Sequence, residues 1–162
     1  MCIRDRSNAE LATLFKPVLL QHGVNPEDFS DEYITRAVAM VKSRINFVSE
    51  LWDHARFFFI APDSYDAKAV KKRWSAETPA IMTELVDVLE GLDDFSSAAA
   101  EPVVLAWIAD KGYHLGNVMN AFRLAVVGEC KGPHMFDITE LMGCAETVRR
   151  IRIAAERIQI PE

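Results

Sequence analysis

The stretch GYHLGNVMNAFRLAVVGECKGPHMFDITELMG, residues 112–143, contains two helical patterns separated by a short break. Leu115, Val118, Met119, Phe122 and Val126 recur at intervals of three or four residues, which puts them on one stripe of a helix, with Asn120 and Arg123 on the neighbouring face. Gly128 ends that pattern. Asp137 and Glu140 then stand at the spacing of an N-cap and its third-position partner, so a second helix is expected to start at once. Period-two alternation, the mark of a half-buried strand, is almost absent here and along the rest of the chain. The expected fold class is all-α.

Working outward, Ser7 and Glu10 form a capping-box pair ahead of Leu11, Leu14, Phe15, Val18 and Leu19, and Gly23 closes that helix. Ile34, Val38, Val41, Ile45, Val48 and Trp52 follow one another at helical intervals. Residues 31–59 are therefore expected to be one long helix or two nearly collinear ones, with Arg44 inside the run. A loop through Pro62 leads to a short basic helix, AKAVKKRWSAETP, ending near Ser75. Thr78 and Pro79 are a cap and first-turn pair for AIMTELVDVLEGL, which stops at Gly91. The polar and small-residue stretch DDFSSAAAEP precedes a helix, VVLAWIADKG, and AETVRRIRIAAERI closes the chain as a helix whose arginines read as a charged outer face. Residues 1–6 join no pattern and are expected to be an added or otherwise foreign leader.

With 162 residues and half of them apolar, the chain can bury a real core as one compact unit or two small ones packed together. Its longest apolar runs, AVAMV and RFFFIAP, fall far short of the roughly 20 residues needed to cross a bilayer, and no signal-peptide pattern is present. A soluble, cytoplasmic protein with no membrane partner is expected. Cys2, Cys130 and Cys144 form neither a CxxC pair nor an even-numbered framework, which reads as reduced thiols and no metal site. A net charge of −6 repels polyanions at long range, so any nucleic-acid contact has to be local, and DNA is not an expected partner.

No Gly-rich phosphate loop, nucleophile elbow or His-Glu-x-x-His pair occurs, and the four histidines make no ligand cluster by spacing, so no catalytic residue is assigned. What stands out is a set of cations. Arg44 borders an apolar stripe, either as a snorkelling or surface arginine or as a ligand contact. Arg123 is the lone cation of its helix, either in a packing salt bridge or in a site. Lys131, Gly132, Pro133 and His134 make either a solvated turn or a loop whose glycine lets another molecule approach. Lys68, Lys71, Lys72 and Arg73, followed by Trp74, make the densest basic run, either a solvated helix face or a set of phosphate contacts.

The order NAELATLFKP, VKSRINFVSELWDHARFFF, YDAKAVKKRW, AWIADKGYHLGNVM and NAFRLAVVGECKGPHMFDITELMG…ETVRRI resembles the C-terminal anticodon-binding region of bacterial glutamyl-tRNA synthetase over residues 7–158. The resemblance implies an all-helical cage, a right-handed bundle in two packed subdomains, here residues 7–65 and 66–162, that grips the anticodon stem-loop of tRNA(Glu). It also implies a catalytic half of the same polypeptide, not among these residues, that holds ATP with Mg and glutamate, and no cofactor in this part. On it, Arg44 and Arg123 fall on base-contacting arginines and Gly132 and Met135, around Pro133, on loop positions that approach the anticodon. A guanidinium suits that role because its planar fork reads base edges and stacks on unpaired bases. Cys130 departs from the small or polar residue expected in the loop. The alternative from another class is a helical protein-interaction scaffold without RNA binding, which would tolerate lysine at both arginine positions.

Overall fold

The computed structural model describes residue 3 and residues 5–158. Cys2 and part of the expected leader lie outside them. Among the described residues there are nine α-helices and no strand, and the chain divides into two compact units, residues 1–60 and 61–162.

The first unit is built on α1 (Asn8–Gln21), α2 (Asp31–Lys42) and α3 (Leu51–Ala55). Ser7 caps α1 by accepting from the Glu10 N–H, and Ser30 caps α2 by accepting from the Tyr33 N–H. Leu11, Phe15 and Leu19 of α1 meet Ile34, Val38 and Val41 of α2 in a core closed by Leu51 and Phe58. An aromatic cluster fills one end: Phe59 meets Phe15, Phe29 and Tyr33 edge-on at 5.6, 5.0 and 5.7 Å, a preferred geometry for aromatic pairs. Two residues of the expected leader touch this unit, Ile3 through its N–H to the Asn46 carbonyl and Arg6 through its carbonyl to Lys42 Nζ.

Of the two forms expected over 31–59, the single long helix does not occur. α2 stops at Lys42, and a turn and two short 3₁₀ segments surround the five-residue α3. The cause is local: the Glu50 carboxylate accepts from both the Asn46 and the Phe47 N–H at 2.8 Å, capturing donors that a continuing helix would need.

The second unit contains α4 (Ala67–Arg73), α5 (Thr78–Glu90), α6 (Ser97–Lys111), α7 (Leu115–Val127), α8 (Met135–Met142) and α9 (Cys144–Arg157). α7 is its axis: Ala121, Phe122 and every residue from Leu124 to Val127 are buried, because α4, α5, α6 and α9 all pack on it. Three starts differ from those expected. α6 begins at Ser97, not after Pro102, because the Ser96 hydroxyl caps it and the alanine run favours helix strongly enough to carry the proline. α8 begins at Met135, ahead of Asp137, and Glu140 accepts from the Ser97 N–H at the start of α6. Thr78 is the first residue of α5, and its hydroxyl accepts from the Ser75 N–H.

The division after Ile60 places residues 61–65 with the second unit, whereas the sequence put a boundary at 65/66. Asp66 donates its N–H to the Gly128 carbonyl at 2.9 Å, and Pro62 and Ser64 lie against Gly128. The segment is thus a strap over the end of α7.

Candidate nucleic-acid interface

Arg123 projects from the half-buried face of α7 toward the loop that follows the helix. Its Nη1 lies 3.4 Å from the Lys131 carbonyl oxygen, to which it donates. Gly132 has φ +130°, and a Cβ built on it would stand 3.2 Å from the same Nη1. The loop backbone and the guanidinium therefore share one small space, and only glycine leaves it open. Cys130 donates from Sγ to the Asn120 carbonyl at 3.7 Å, a contact for which a small weak donor is suited. Burial pushes the Cys130 thiol above its ordinary range against the pull of Arg73 and then Arg123, so both guanidinium groups act on one sulfur.

Of the loop residues named from the sequence, Lys131 is exposed and Gly132 half-buried, while Pro133 and Met135 are buried, Met135 to 2% exposure. Lys131 and the Gly132 backbone are therefore the parts that can meet a partner. Pro133 and Met135 anchor the loop from beneath. His134 Nε2 is 2.7 Å from Glu101 Oε2, tying the far end of the loop to α6.

The loop is also held at its root. Gly128, at φ +93°, ends α7, and a Cβ there would meet Pro62 Cβ at 2.9 Å. Arg150 of α9, expected on a charged outer face, is instead 2% exposed. Its Nη1 donates to the Val126 carbonyl at 2.9 Å and its Nε to Glu146 Oε1 at 2.9 Å. This residue was missed from sequence. Its position, between Thr147 and Ala154 on the buried stripe of α9, is the signal that could have found it.

In the first unit, Arg44 stands exposed on the turn after α2, not within a helix, its N–H still bonded to the Val41 carbonyl at 2.9 Å. The Glu50 carboxylate that stops the helix also fixes this turn, and the two amides it accepts hold it below its ordinary value. Lys71, Lys72 and Arg73 occupy the last turn of α4, where cations suit the helix dipole. Lys71 and Lys72 are exposed, while Arg73 is half-buried and donates from Nη1 to Asn117 Oδ1 of α7 at 2.9 Å. The structure thus gathers Arg73, Arg123, Lys131 and Gly132 on one side of the second unit.

Residues 10–155 match the family described as an anticodon binding domain. The chain is 54% identical over 154 residues to the glutamate–tRNA ligase of Phocaeicola vulgatus and 51% identical over 154 residues to that of Bacteroides fragilis, covering 95% of this chain each time. It spans 30% of the length of each of those relatives. Among solved structures, a glutamate tRNA ligase from Elizabethkingia meningosepticum superposes with a TM-score of 0.86 at 36% identity, over 97% of this chain and 30% of that one. A second, the glutamate–tRNA synthetase of Elizabethkingia anophelis, gives 0.79 at 34%, over 95% of this chain and 29% of that one. Segment order, helical architecture and relatives agree against a plain interaction scaffold, and the chain belongs to the anticodon-binding domain family, in the form found in glutamate–tRNA ligases.

Proposed function

We propose that this chain recognises the anticodon stem-loop of tRNA(Glu), as part of a ligase that attaches glutamate to that tRNA with ATP and Mg. The ligase chemistry is assigned to the part of the relatives' length that these residues do not span, and the setting to the cytoplasm. The observation that carries the reading is the shared space of Arg123, the Lys131 carbonyl and Gly132. A guanidinium beside backbone that carries no side chain brings a planar fork and an adjoining carbonyl acceptor to the edge of an unpaired base. Arg44 serves a second base from the first unit. Lys131 reaches the RNA directly, Pro133 and Met135 keep the loop in shape, and Lys71, Lys72 and Arg73 meet backbone phosphates. A net charge of −6 does not oppose this, because specificity comes from a few directed contacts and not from a basic surface.

The test is a titration of the chain against the anticodon stem-loop of tRNA(Glu) and an altered-anticodon stem-loop, each at two salt concentrations. Preference for the cognate loop is expected. Arg123→Ala should weaken it by about 10–100-fold, the worth of a hydrogen bond to a charged group, with an unchanged circular dichroism spectrum, and Arg123→Lys should not restore it. Equal affinity for the two loops, or full affinity in Arg123→Ala, would overturn the reading.

A further inference from the structure

A cleft of about 350 Å³ lies in the second unit where the end of α4 and the start of α5 meet the first turns of α7. Its lining combines cations, Lys71, Lys72 and Arg73, with apolar side chains, Trp74, Met82 and Val118. Glu77 is the one carboxylate in that lining.

Three observations point to an anionic ligand with a flat apolar part. Arg73 is held by Asn117 Oδ1 at 2.9 Å, so its guanidinium stands at the first turn of α7. That end of a 13-residue helix already carries partial positive charge, and two positive groups converge where an anion would relieve both. Trp74 is 3% exposed, and its indole Nε1–H is the one buried side-chain polar atom among the described residues without a hydrogen-bond partner. Leaving such a donor unpaired costs about 1–3 kcal/mol. His114 Nδ1 accepts from the Asn117 N–H at 3.1 Å, so the neutral ring carries its proton on Nε2 and adds another donor to the lining. The space exceeds what a phosphate alone would fill, and part of its lining is apolar.

We infer that this cleft binds one nucleotide, its phosphate on Arg73 and the start of α7 and its base against the apolar lining beside Trp74. The nucleotide is either free nucleoside monophosphate or one unit of a single-stranded RNA; the RNA source rests on the anticodon reading above, and the free source does not.

The test is nuclear magnetic resonance on the ¹⁵N-labelled chain, with the Trp74 indole signal assigned by its loss in Trp74→Phe. AMP, adenosine, inorganic phosphate and a short single-stranded oligoadenylate are titrated in turn, and then the anticodon stem-loop. The indole signal should move saturably with AMP, with oligoadenylate or with both, which also assigns the source. Adenosine and phosphate should each bind about ten-fold more weakly or worse, and Arg73→Ala, with an otherwise native spectrum, should weaken binding about ten-fold, as loss of a charge-assisted contact implies. An indole signal unmoved by millimolar AMP and oligoadenylate overturns the inference. So does phosphate binding as tightly as AMP, or full affinity in Arg73→Ala. A stem-loop that fails to bind while AMP moves Trp74 sinks the anticodon reading and leaves the cleft as a free-nucleotide site. A stem-loop that binds while Trp74 responds to nothing does the reverse.

Discussion

Arg123 and Arg150 carry the same guanidinium to opposite ends. Arg150 is spent inside the fold, joining α9 to the last turn of α7 through Val126 and Glu146. Replacing it with alanine strips a buried carbonyl and a partly buried carboxylate of a donor, and urea unfolding should show a loss of about 2–3 kcal/mol. Gly132 lies at the other extreme, a residue whose value is the absence of a side chain. Gly132→Ala forces a Cβ to 3.2 Å from Arg123 Nη1 at φ +130°, so stem-loop affinity should fall about ten-fold, approaching the Arg123→Ala value, with a stability change of only about 1 kcal/mol. The difference in legibility is physical. A lone cation in an apolar helix stands out in a sequence, which makes Arg123 a candidate, while its contact with a base is implied only by the resemblance. Arg150 stands in a run of alternating cations, RRIRIAAER, where nothing but helical phase distinguishes the inward-facing one.

At the level of helices, the stop after Lys42 sets where Arg44 is displayed. Apolar spacing could not reveal it, because Val41, Ile45, Val48 and Trp52 keep three- or four-residue intervals through the break, although the side chain buried beyond it is Leu51, off that spacing. The information sits in Glu50, whose reach back to two amides is a side-chain conformation and leaves no periodic trace. Glu50→Ala should release those amides, and hydrogen exchange at Asn46 and Phe47 is expected to speed up. Protection unchanged at both positions would show that the turn holds without the carboxylate. Glu140 gives the same lesson, since its spacing from Asp137 matches a local cap while its carboxylate serves the start of a different helix. The serine cap at the N-terminus of α1, by contrast, is readable at Ser7 because its partner, Glu10, lies three residues away in the chain.

Across the molecule, the all-helical class and the order of segments were legible because periodic burial is a sum over many residues. The boundary between units was less so, because contacts of the 61–66 segment are with residues far along the chain. Charge also acts at this scale. Glu50, Glu84, Asp94 and Glu146 all sit below their ordinary values, Glu50 and Asp94 mainly through backbone N–H donors, Glu84 through Tyr113, and Glu146 through Arg149 and then Arg150. Groups with depressed folded values stabilise the fold above their unfolded values, 4.5 for glutamate and 3.8 for aspartate, and that contribution fades as pH falls through the folded ones. Denaturant midpoints should therefore be flat from neutrality to about pH 5 and decline below about pH 4, mainly through the partly buried Glu146, so that Glu146→Gln shows a shallower decline. The strap over α7 also restricts which changes the lineage can accept. A Cβ at 128 would stand 2.9 Å from Pro62 Cβ and 3.2 Å from the Ser64 carbonyl oxygen, at a φ of +93°, so glycine is expected to persist at 128 whatever residue the lineage places at 62.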